Sequence, residues 1–347
     1  MADTMDVLLL TDGTPGHFHC SEGVCNALAR IQAVNAMWVA VERSKLVPAR
    51  AVSWMVNRSV SPATVLKLVY GIDAASVPKA DLIVSAGGDT IAANIALARL
   101  TGTPNIFFGS LRRFLAADFT LALNSYTTDN AAPNQVRILK PAAADPALLP
   151  SAVLDHRRLP RVAGLLVGGP SGDGRFDERE WTHLLTFLGE TRLRLGLAWI
   201  VSNSRRTPAG VSDRIAALAA KPGGTILRFV DVRTAGSGTL GALFAESGAI
   251  VVTSDSSAMV SEAIWMRRPT IVLKPKQMAL PPKELEYRRW LEDRNLFREI
   301  DLVDITPERF TSALREVNPL LENPQAELAR LLADRLPGVF PKISNVS

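Results

Sequence analysis

The sequence predicts an α/β protein with two domains, each built on a doubly wound parallel sheet. The chain has 347 residues, about twice the usual size of one domain, so two domains are expected. Short runs of β-forming apolar residues alternate with helical patterns, which is the order of elements in doubly wound sheets. Most of these runs are continuously apolar, as expected of parallel strands that are buried on both faces.

The strands predicted in the first half are 7–11, 36–41, 82–86, 105–109, 119–123 and 136–139. Those predicted in the second half are 162–168, 197–202, 225–229, 249–253 and 270–273. Helices are predicted between them, including 20–30 and 90–100, and one more over 326–335. The second of these helices begins after Asp89, a good N-cap residue, and ends at Gly102. Asp177 and Glu180 have the spacing of a capping box at the start of another helix.

The Pro- and Ala-rich stretch 140–161 has no clear strand pattern and is interpreted as the linker between the two domains. The predicted domains therefore cover 1–150 and 151–318. Residues 319–347 are interpreted as a C-terminal helix and tail that can cross back to the N-terminal domain. The two cysteines, Cys20 and Cys25, are predicted to pack within one helix, with neither a disulfide nor a zinc site.

Composition limits the classes of ligand. Hydrophobic residues make up 47% and charged residues 21% of the chain, and the net charge is +5. This balance favours anionic ligands such as phosphates, or loose attachment to an acidic membrane surface. No block of five basic residues occurs, so no nucleic-acid partner is expected. The N-terminus lacks signal-peptide features and no apolar run approaches the ~18 residues of a membrane span. The expected location is the cytoplasm, with peripheral contact at the inner membrane left open.

The loop after the first strand, "DGTPGH", holds the first candidate site residues. Gly13 and Gly16 permit positive φ and the close approach of a ligand. His17 can act as a general base at neutral pH, with Asp12 orienting it. The alternative is a simple turn that carries a surface histidine.

Two further loops of the first half follow predicted strands. Gly87 and Gly88 lead to Asp89, which either caps the following helix or faces a ligand. Arg112 and Arg113 follow the next strand, where they hold an anionic acceptor or are solvated surface residues.

The second half has the same arrangement. A glycine-rich loop with Gly169 and Ser171 follows one strand. The stretch with Ser204, Arg205 and Arg206 follows the next, and two guanidiniums with hydroxyls suit a diphosphate. Neither loop is a Walker A motif or a G-x-G-x-x-G motif.

The stretch "SDSSAMVSEAIW" follows the strand 249–253 and contains more polar residues than a helix cap requires. Ser254, Asp255, Ser256 and Ser257 would converge where a helix N-terminus attracts anions, whereas capping needs only one of them. Glu262, about one turn into that helix, either reaches ribose hydroxyls or is solvated.

These motifs, in this order, resemble the family named after a plant mitochondrial-fission protein of the elongated-mitochondria type. The matching pieces are "TDGTPGHFHCSEGV", "LIVSAGGDTIAANIALAR", "LLVGGPSGDGRF", "SNSRRTP" and "AIVVTSDSSAMVSEAIWMRRPTIV". The family pattern usually has two arginines where this chain has Gly88 and Asp89.

The resemblance implies a GT-B-like architecture, with two Rossmann-like doubly wound domains facing across a cleft. It implies an acceptor-side N-terminal domain and a C-terminal domain that binds the nucleotide donor. Similarity to the donor site of lipid-linked murein glycosyltransferases makes Ser254, Asp255, Ser256 and Glu262 donor contacts. Arg205 and Arg206 become diphosphate partners, and His17 falls where several GT-B enzymes have a catalytic histidine.

The expected function is a metal-independent glycosyltransferase that uses a nucleotide-diphosphate sugar as its substrate, without a separate cofactor and with an unknown acceptor. Two alternatives stay open. One is a non-catalytic GT-B-like scaffold that acts through protein contacts. The other is a different nucleotide- or phosphate-dependent transferase or ligase of cofactor biosynthesis.

Overall fold

The structure is a computed structural model, and it describes residues 4–148, 159–172, 174–235 and 239–340. The chain divides into two compact units. The first unit contains the residues up to Ala143 and those from Pro324 onward, and the second unit runs from Ala144 to Asn323. The predicted boundary at residue 150 lies outside the described residues. Residues 319–323 belong to the second unit, so the C-terminal segment of the first unit begins later than the predicted residue 319.

The first unit is built on a parallel sheet of six strands, in the order β2-β1-β3-β4-β5-β6. Its strands are β1 (Met5–Thr11), β2 (Val34–Ala40), β3 (Leu82–Ala86), β4 (Asn105–Phe108), β5 (Leu121–Asn124) and β6 (Gln135–Arg137). Its α-helices are α1 (Pro15–Leu28), α2 (Ala49–Asn57), α3 (Pro62–Val65), α4 (Ile91–Thr101) and α11 (Pro324–Arg335), numbered in chain order. A π-helical turn (Leu66–Tyr70) and two 3-10 turns (Ala74–Ser76, Ala116–Asp118) complete it.

The second unit contains another parallel sheet of six strands, in the order β10-β9-β7-β11-β12-β14. Its strands are β7 (Val162–Leu166), β9 (Ala198–Ser202), β10 (Ile226–Val230), β11 (Ala249–Thr253), β12 (Thr270–Lys274) and β14 (Arg298–Asp301). A small antiparallel pair joins β8 (Gly174–Arg175) and β13 (Gln277–Met278). The helices are α5 (Glu178–Leu195), α6 (Ala209–Ala219), α7 (Leu240–Glu246), α8 (Ser257–Trp265), α9 (Pro282–Glu292) and α10 (Pro307–Glu316), with 3-10 turns at Pro146–Leu148 and Leu302–Asp304.

Burial of the central strands explains why their sequences are continuously apolar. Every residue of β3, β9 and β11 is buried, because helices cover both faces of a doubly wound sheet. Each unit has its own core, and Trp199 is one of the large side chains in the core of the second unit. The indole of Trp199 donates to the hydroxyl of Thr191 at 2.9 Å, which satisfies the polar atom of a fully buried ring.

Two predicted helix starts need correction. Helix α1 begins at Pro15 rather than at Cys20, so His17 lies in its first turn and not in a loop. Helix α4 is preceded by Thr90, and no side chain caps it; Asp89 is not its N-cap. The predicted stop of α4 is confirmed, because Gly102 adopts the left-handed conformation there.

The two cysteines lie in one helix, α1, as predicted, and both are free thiols. Burial raises the pKa of the Cys25 thiol to about 11, so this group stays protonated at neutral pH. Among the described residues, no helix is both long enough and apolar enough to span a bilayer.

The predicted capping box at the start of α5 is confirmed, and the structure adds one contact to it. The carboxylate of Asp177 accepts the N–H of Glu180 at 2.8 Å, and Glu180 accepts the N–H of Asp177 at 2.9 Å. The second carboxylate oxygen of Glu180 accepts the N–H of Lys276 at 2.7 Å. Glu180 is buried, so it fixes α5 to the segment between β12 and β13.

We expect Glu180→Ala to destabilise the protein more than Asp177→Ala does. Loss of the Asp177 cap should cost about 1 kcal/mol. Loss of Glu180 also leaves the N–H of Lys276 without its acceptor, which adds about 1–3 kcal/mol. Urea unfolding followed by circular dichroism measures the difference.

Glu178→Ala is the matched control on the same helical turn. Its carboxylate is exposed and pairs with Arg214 at the surface, so the cost should stay below about 1 kcal/mol. Equal midpoints for Glu180→Ala and Asp177→Ala would contradict the role given to the Lys276 contact.

Candidate functional site

The strand order of each unit places one pair of loops where ligands bind in such sheets. In the first unit the chain passes from β1 to β2 on one side and then to β3 on the other. In the second unit it passes from β7 to β9 and later to β11 on the opposite side of β7. Ligands of doubly wound sheets bind beyond the carboxyl ends of the strands where the order reverses. The relevant loops are therefore those after β1 and β3, and those after β7 and β11.

In the first unit, Asp12 and His17 form a hydrogen-bonded pair after β1. The Nδ1 of His17 lies 2.8 Å from a carboxylate oxygen of Asp12. The other oxygen of Asp12 accepts the N–H of Thr14 at 3.0 Å, which fixes the carboxylate. The histidine side chain is 42% exposed and that of Asp12 is 8% exposed. With Nδ1–H donating to Asp12, the imidazole Nε2 is left as a proton acceptor, which is the arrangement of a general base.

The glycines after β3 allow this histidine and an arginine to contact the backbone. Gly87 has a φ of +93°, and a Cβ atom there would lie 2.2 Å from Nδ1 of His17. A Cβ atom on Gly88 would lie 2.3 Å from Cζ of Arg112. A side chain at position 87 is excluded by the positive φ and by the imidazole ring, whereas a side chain at position 88 would displace the flexible end of Arg112. The structure brings His17, Gly87, Gly88 and Arg112 together around one loop, although the sequence placed them in three separate loops.

Asp89 lies at the end of that loop and has partners that the sequence analysis missed. Its carboxylate accepts a hydrogen bond from Arg43 at 2.8 Å, and its carbonyl accepts one from the hydroxyl of Tyr70 at 2.8 Å. Arg43 follows β2, so its position just after a strand was the available signal. Gly13 has the expected positive φ, +75°, and donates its N–H to the hydroxyl of Thr11 at 3.1 Å. Gly16 has no positive φ and is a part-exposed residue of the first turn of α1.

In the second unit, Asp255 organises the loop after β7. Its side chain is fully buried, and one carboxylate oxygen accepts the N–H of Gly169 at 3.1 Å and a guanidinium N–H of Arg206 at 2.6 Å. A Cβ atom on Gly168 would lie 2.1 Å from this carboxylate, and one on Gly169 would lie 2.0 Å from the carbonyl oxygen of Arg206. Asp255 therefore anchors the glycine loop rather than presenting its charge to solvent.

Burial dominates the electrostatics of this carboxyl group. Loss of hydration raises the pKa of Asp255, while hydrogen bonds from Thr253 and from the N–H of Gly169, and then the charge of Arg206, act in the opposite direction. Arg206 is thus part of the support for a buried charge. It is less available to a ligand than the sequence pattern suggested.

Arg205 differs from its neighbour. Both arginines are exposed, but the side chain of Arg205 has no ion pair or hydrogen bond with any other residue that the structure describes. Thr207 holds the turn below it, since its hydroxyl donates to the carbonyl of Gly168 at 2.6 Å and accepts the N–H of Ser204 at 2.9 Å. The turn after β9 is thereby hydrogen-bonded to the loop after β7, and Arg205 is an exposed cation on this turn.

Helix α8 starts at Ser257 directly after these residues. Ser256 is its N-cap and accepts the N–H of Met259 at 3.4 Å. Ser254 is fully buried, and its hydroxyl has no hydrogen-bond partner within the described ranges. Ser257 and Glu262 are part-buried, and Glu262 lies on the second turn of α8.

The polar residues predicted for the donor site therefore have different roles. Ser256 and Ser257 are part-buried and Arg205 is exposed, while Ser254 and Asp255 are buried. Ser171 follows Gly169 and Pro170, with its N–H donated to the carbonyl of Gly174 at 2.8 Å. Thr253 and Thr207 were missed as supporting groups, although Thr253 is the last residue of β11 and Thr207 lies in the turn between β9 and α6.

Several solved structures share the fold of this chain at low sequence identity. A protein from Listeria monocytogenes described as a UDP-N-acetylglucosamine 2-epimerase is 11% identical, with 97% of each chain covered and a TM-score of 0.55. MnaA of S. aureus, in a co-structure with UDP, is 13% identical, with 96% of this chain and 97% of that chain covered and a TM-score of 0.53. The UDP-GlcNAc 2-epimerase of Neisseria meningitidis bound to UDP-GlcNAc is 11% identical, with 97% and 100% covered and a TM-score of 0.53.

These likenesses confirm the predicted α/β class and the GT-B-like fold with two Rossmann-like sheets. No curated protein matches the chain in sequence. The sequence model of one family, described as mitochondrial fission ELM1, matches residues 120–336, which is more than half of the chain. The chain therefore belongs to the mitochondrial fission ELM1 family.

Proposed function

We propose that the protein is a glycosyltransferase that uses a nucleotide-diphosphate sugar and no metal ion. The observation that carries the proposal is the anchoring of the glycine loop after β7 by buried Asp255, beside the start of α8. This arrangement fixes backbone N–H groups and the arginine turn at the point where the strand order reverses, where such sheets bind nucleotides. Solved structures of the same fold that hold UDP and UDP-GlcNAc make UDP the first nucleotide to test.

The proposed donor site neutralises the diphosphate with protein groups. Exposed Arg205 supplies a guanidinium, and the first turn of α8 supplies N–H groups and the positive end of the helix dipole. Ser256 and Ser257 lie at that turn, and Glu262 is assigned to the ribose hydroxyls. The sequence has no acidic pair of the Asp-x-Asp type at a strand end, so these groups are assigned the role that a cation has in other transferases.

The proposed reaction transfers the sugar from the diphosphate to an acceptor hydroxyl. The acceptor oxygen forms a bond to the anomeric carbon as the bond from that carbon to the diphosphate oxygen breaks. The hydroxyl proton passes to Nε2 of His17, whose imidazolium form is stabilised by Asp12 at 2.8 Å. The leaving diphosphate takes the electron pair and is stabilised by Arg205 and by α8.

We expect Arg205→Ala to weaken UDP binding without lowering the stability of the free protein. Loss of a charge-assisted hydrogen bond is worth about 1.5–3 kcal/mol, so the Kd for UDP should rise at least about tenfold. Isothermal titration calorimetry with UDP, and with GDP and ADP for comparison, measures this. Arg315→Ala, which removes an exposed arginine of α10, is the control and should bind UDP like the wild type.

The donor assignment fails if none of the three nucleotides binds at millimolar concentration. The role of Arg205 alone fails if UDP binds and Arg205→Ala leaves its Kd unchanged.

Arg206→Ala should lower stability in a way that depends on pH. The pKa of Asp255 is raised in the folded protein, so the contribution of this group to stability is fully present below the unfolded pKa and falls as pH rises through the folded pKa. Loss of Arg206 raises the folded pKa further. The difference in unfolding free energy from wild type should therefore be small at acidic pH and reach about 1–3 kcal/mol at neutral pH.

Urea unfolding at a series of pH values measures this difference. Asp255→Asn is the matched control, because it removes the buried charge; in that background Arg206→Ala should cost the same at every pH. A pH-independent cost of Arg206→Ala in the wild-type background would contradict the role given to the pair.

His17→Ala should lower product formation about 10²–10⁴-fold while leaving the Kd for UDP unchanged. The measurement is mass spectrometry of products after incubation with a panel of UDP-sugars and a metabolite extract. A hexose added to an acceptor supports the transferase. Wild-type rates in His17→Ala would contradict the base assignment, and a nucleotidyl or phosphoryl product would favour a different transferase or ligase.

A further inference from the structure

A cavity of about 420 Å³ opens within the first unit beside the loop that follows β3. This volume is within the range of sites for small molecules. Gly88 and Asp89 lie on its wall, and Arg43, Arg112 and Arg113 lie around it. All of these residues belong to the same compact unit.

The side chains around the cavity have a net positive charge, because the ion pair between Arg43 and Asp89 leaves two further arginines. Arg43 is occupied, because it donates to Asp89 at 2.8 Å and to the carbonyl of Val47 at 2.9 Å. The side chains of Arg112 and Arg113 have no ion pair or hydrogen bond with any residue in the described part of the chain. Two guanidiniums therefore remain to bind an anion.

The backbone around Arg112 indicates that its placement is specific. Arg112 has a φ of +54°, a conformation that is uncommon for residues other than glycine. In this conformation its guanidinium packs against Gly88, where a Cβ atom would lie 2.3 Å from Cζ. The backbone at Arg112 therefore has an unfavourable conformation, and position 88 is a glycine. Both bring this cation to the cavity wall.

The rest of the wall is apolar or already hydrogen-bonded. Val52, Ile91 and Phe114 line it. The hydroxyl of Tyr70 donates to the carbonyl of Asp89, and that of Ser53 donates to the carbonyl of Arg50 at 3.0 Å. A ligand matched to this wall has one anionic group and an adjoining apolar segment.

The cavity is next to the proposed catalytic base. Gly88 lies on its wall, and the preceding residue, Gly87, packs against the imidazole of His17. A molecule whose anionic group is bound at Arg112 can therefore extend past Gly88 and Gly87 to reach His17.

We propose that this cavity binds the phosphate group of the acceptor. Arg112 and Arg113 bind the phosphate, and an apolar segment of the acceptor packs along Phe114. The acceptor role rests on the function proposed above, whereas binding of an alkyl phosphate does not. Two guanidiniums supply several N–H donors in planar pairs, which suit a doubly charged phosphate. The anchored phosphate directs a hydroxyl of the same molecule to Nε2 of His17.

The test uses butyl phosphate as the probe, with inorganic phosphate and 1-butanol for comparison, and follows binding to the full chain by NMR titration. Butyl phosphate should bind most tightly, since only it satisfies both the cations and the apolar wall. The variant pair is Arg112→Gly with Arg113→Ala; glycine is chosen because it adopts a φ of +54° without strain. The double variant should raise the Kd for butyl phosphate at least about tenfold.

Arg30→Ala is the control, because it removes an exposed arginine after α1 that does not line the cavity. It should leave the Kd for butyl phosphate unchanged. The proposal is overturned if wild-type protein does not bind butyl phosphate at millimolar concentration, or if the double variant binds it as the wild type does.

Two further measurements separate the sources of the phosphate and the two proposals. The first is cosedimentation with phosphatidylcholine vesicles that contain phosphatidic acid. If the wild type cosediments and the double variant does not, the site binds a lipid headgroup. If the wild type binds butyl phosphate but does not cosediment, the site binds a soluble acceptor. UDP titration of the same variants should give the wild-type Kd. Binding of butyl phosphate with no UDP binding would leave the cavity site standing and refute the donor assignment.

Discussion

The buried carboxylate of Asp255 is the constraint on which the proposed donor site depends. It is removed from water and held by the N–H of Gly169 and by Arg206. A buried charge costs folding free energy unless such partners surround it. Gly169 lies in the loop after β7 and Arg206 lies in the turn after β9. The Asp255 carboxylate therefore also fixes these two loops beside α8. The sequence suggested that Asp255 contacts a ligand. In the structure Asp255 is buried and instead positions the loops whose groups can contact a ligand.

Both units have a pair of consecutive glycines at the sheet edge where ligands are expected. At each reversal of strand order, two consecutive glycines let another group of the protein contact the backbone. The approaching groups are the side chains of His17 and Arg112 in one unit, and the side chain of Asp255 and the backbone carbonyl of Arg206 in the other. A side chain at any of these glycines would meet a heavy atom closer than van der Waals contact allows. The glycines therefore make room for other groups of the protein itself, and the side chains among these groups determine the charge of the sheet edge.

Sequence patterns predicted the sheets well because burial leaves a local signature. The continuously apolar runs of β3, β9 and β11 follow directly from cover on both faces, and the Asp177–Glu180 spacing identifies its cap. Three strands were missed. The strands β8 and β13 have only two residues each, which carry no periodicity, and the edge strand β14 has the mostly charged, part-buried sequence Arg-Glu-Ile-Asp. The roles of Asp255, Arg206 and Arg43 could not be predicted, since each depends on a partner distant in sequence that only the fold brings near. For the same reason, nothing in the sequence distinguished exposed Arg205 from Arg206, which supports a buried charge.

The most direct measurement is a crystal structure of the protein grown with UDP. We expect the diphosphate to lie within hydrogen-bonding distance of the first-turn N–H groups of α8 and of the guanidinium of Arg205, with Asp255 still hydrogen-bonded to the N–H of Gly169. Density for UDP at another part of the second unit, or a diphosphate that displaces the Asp255–Arg206 pair, would contradict this expectation.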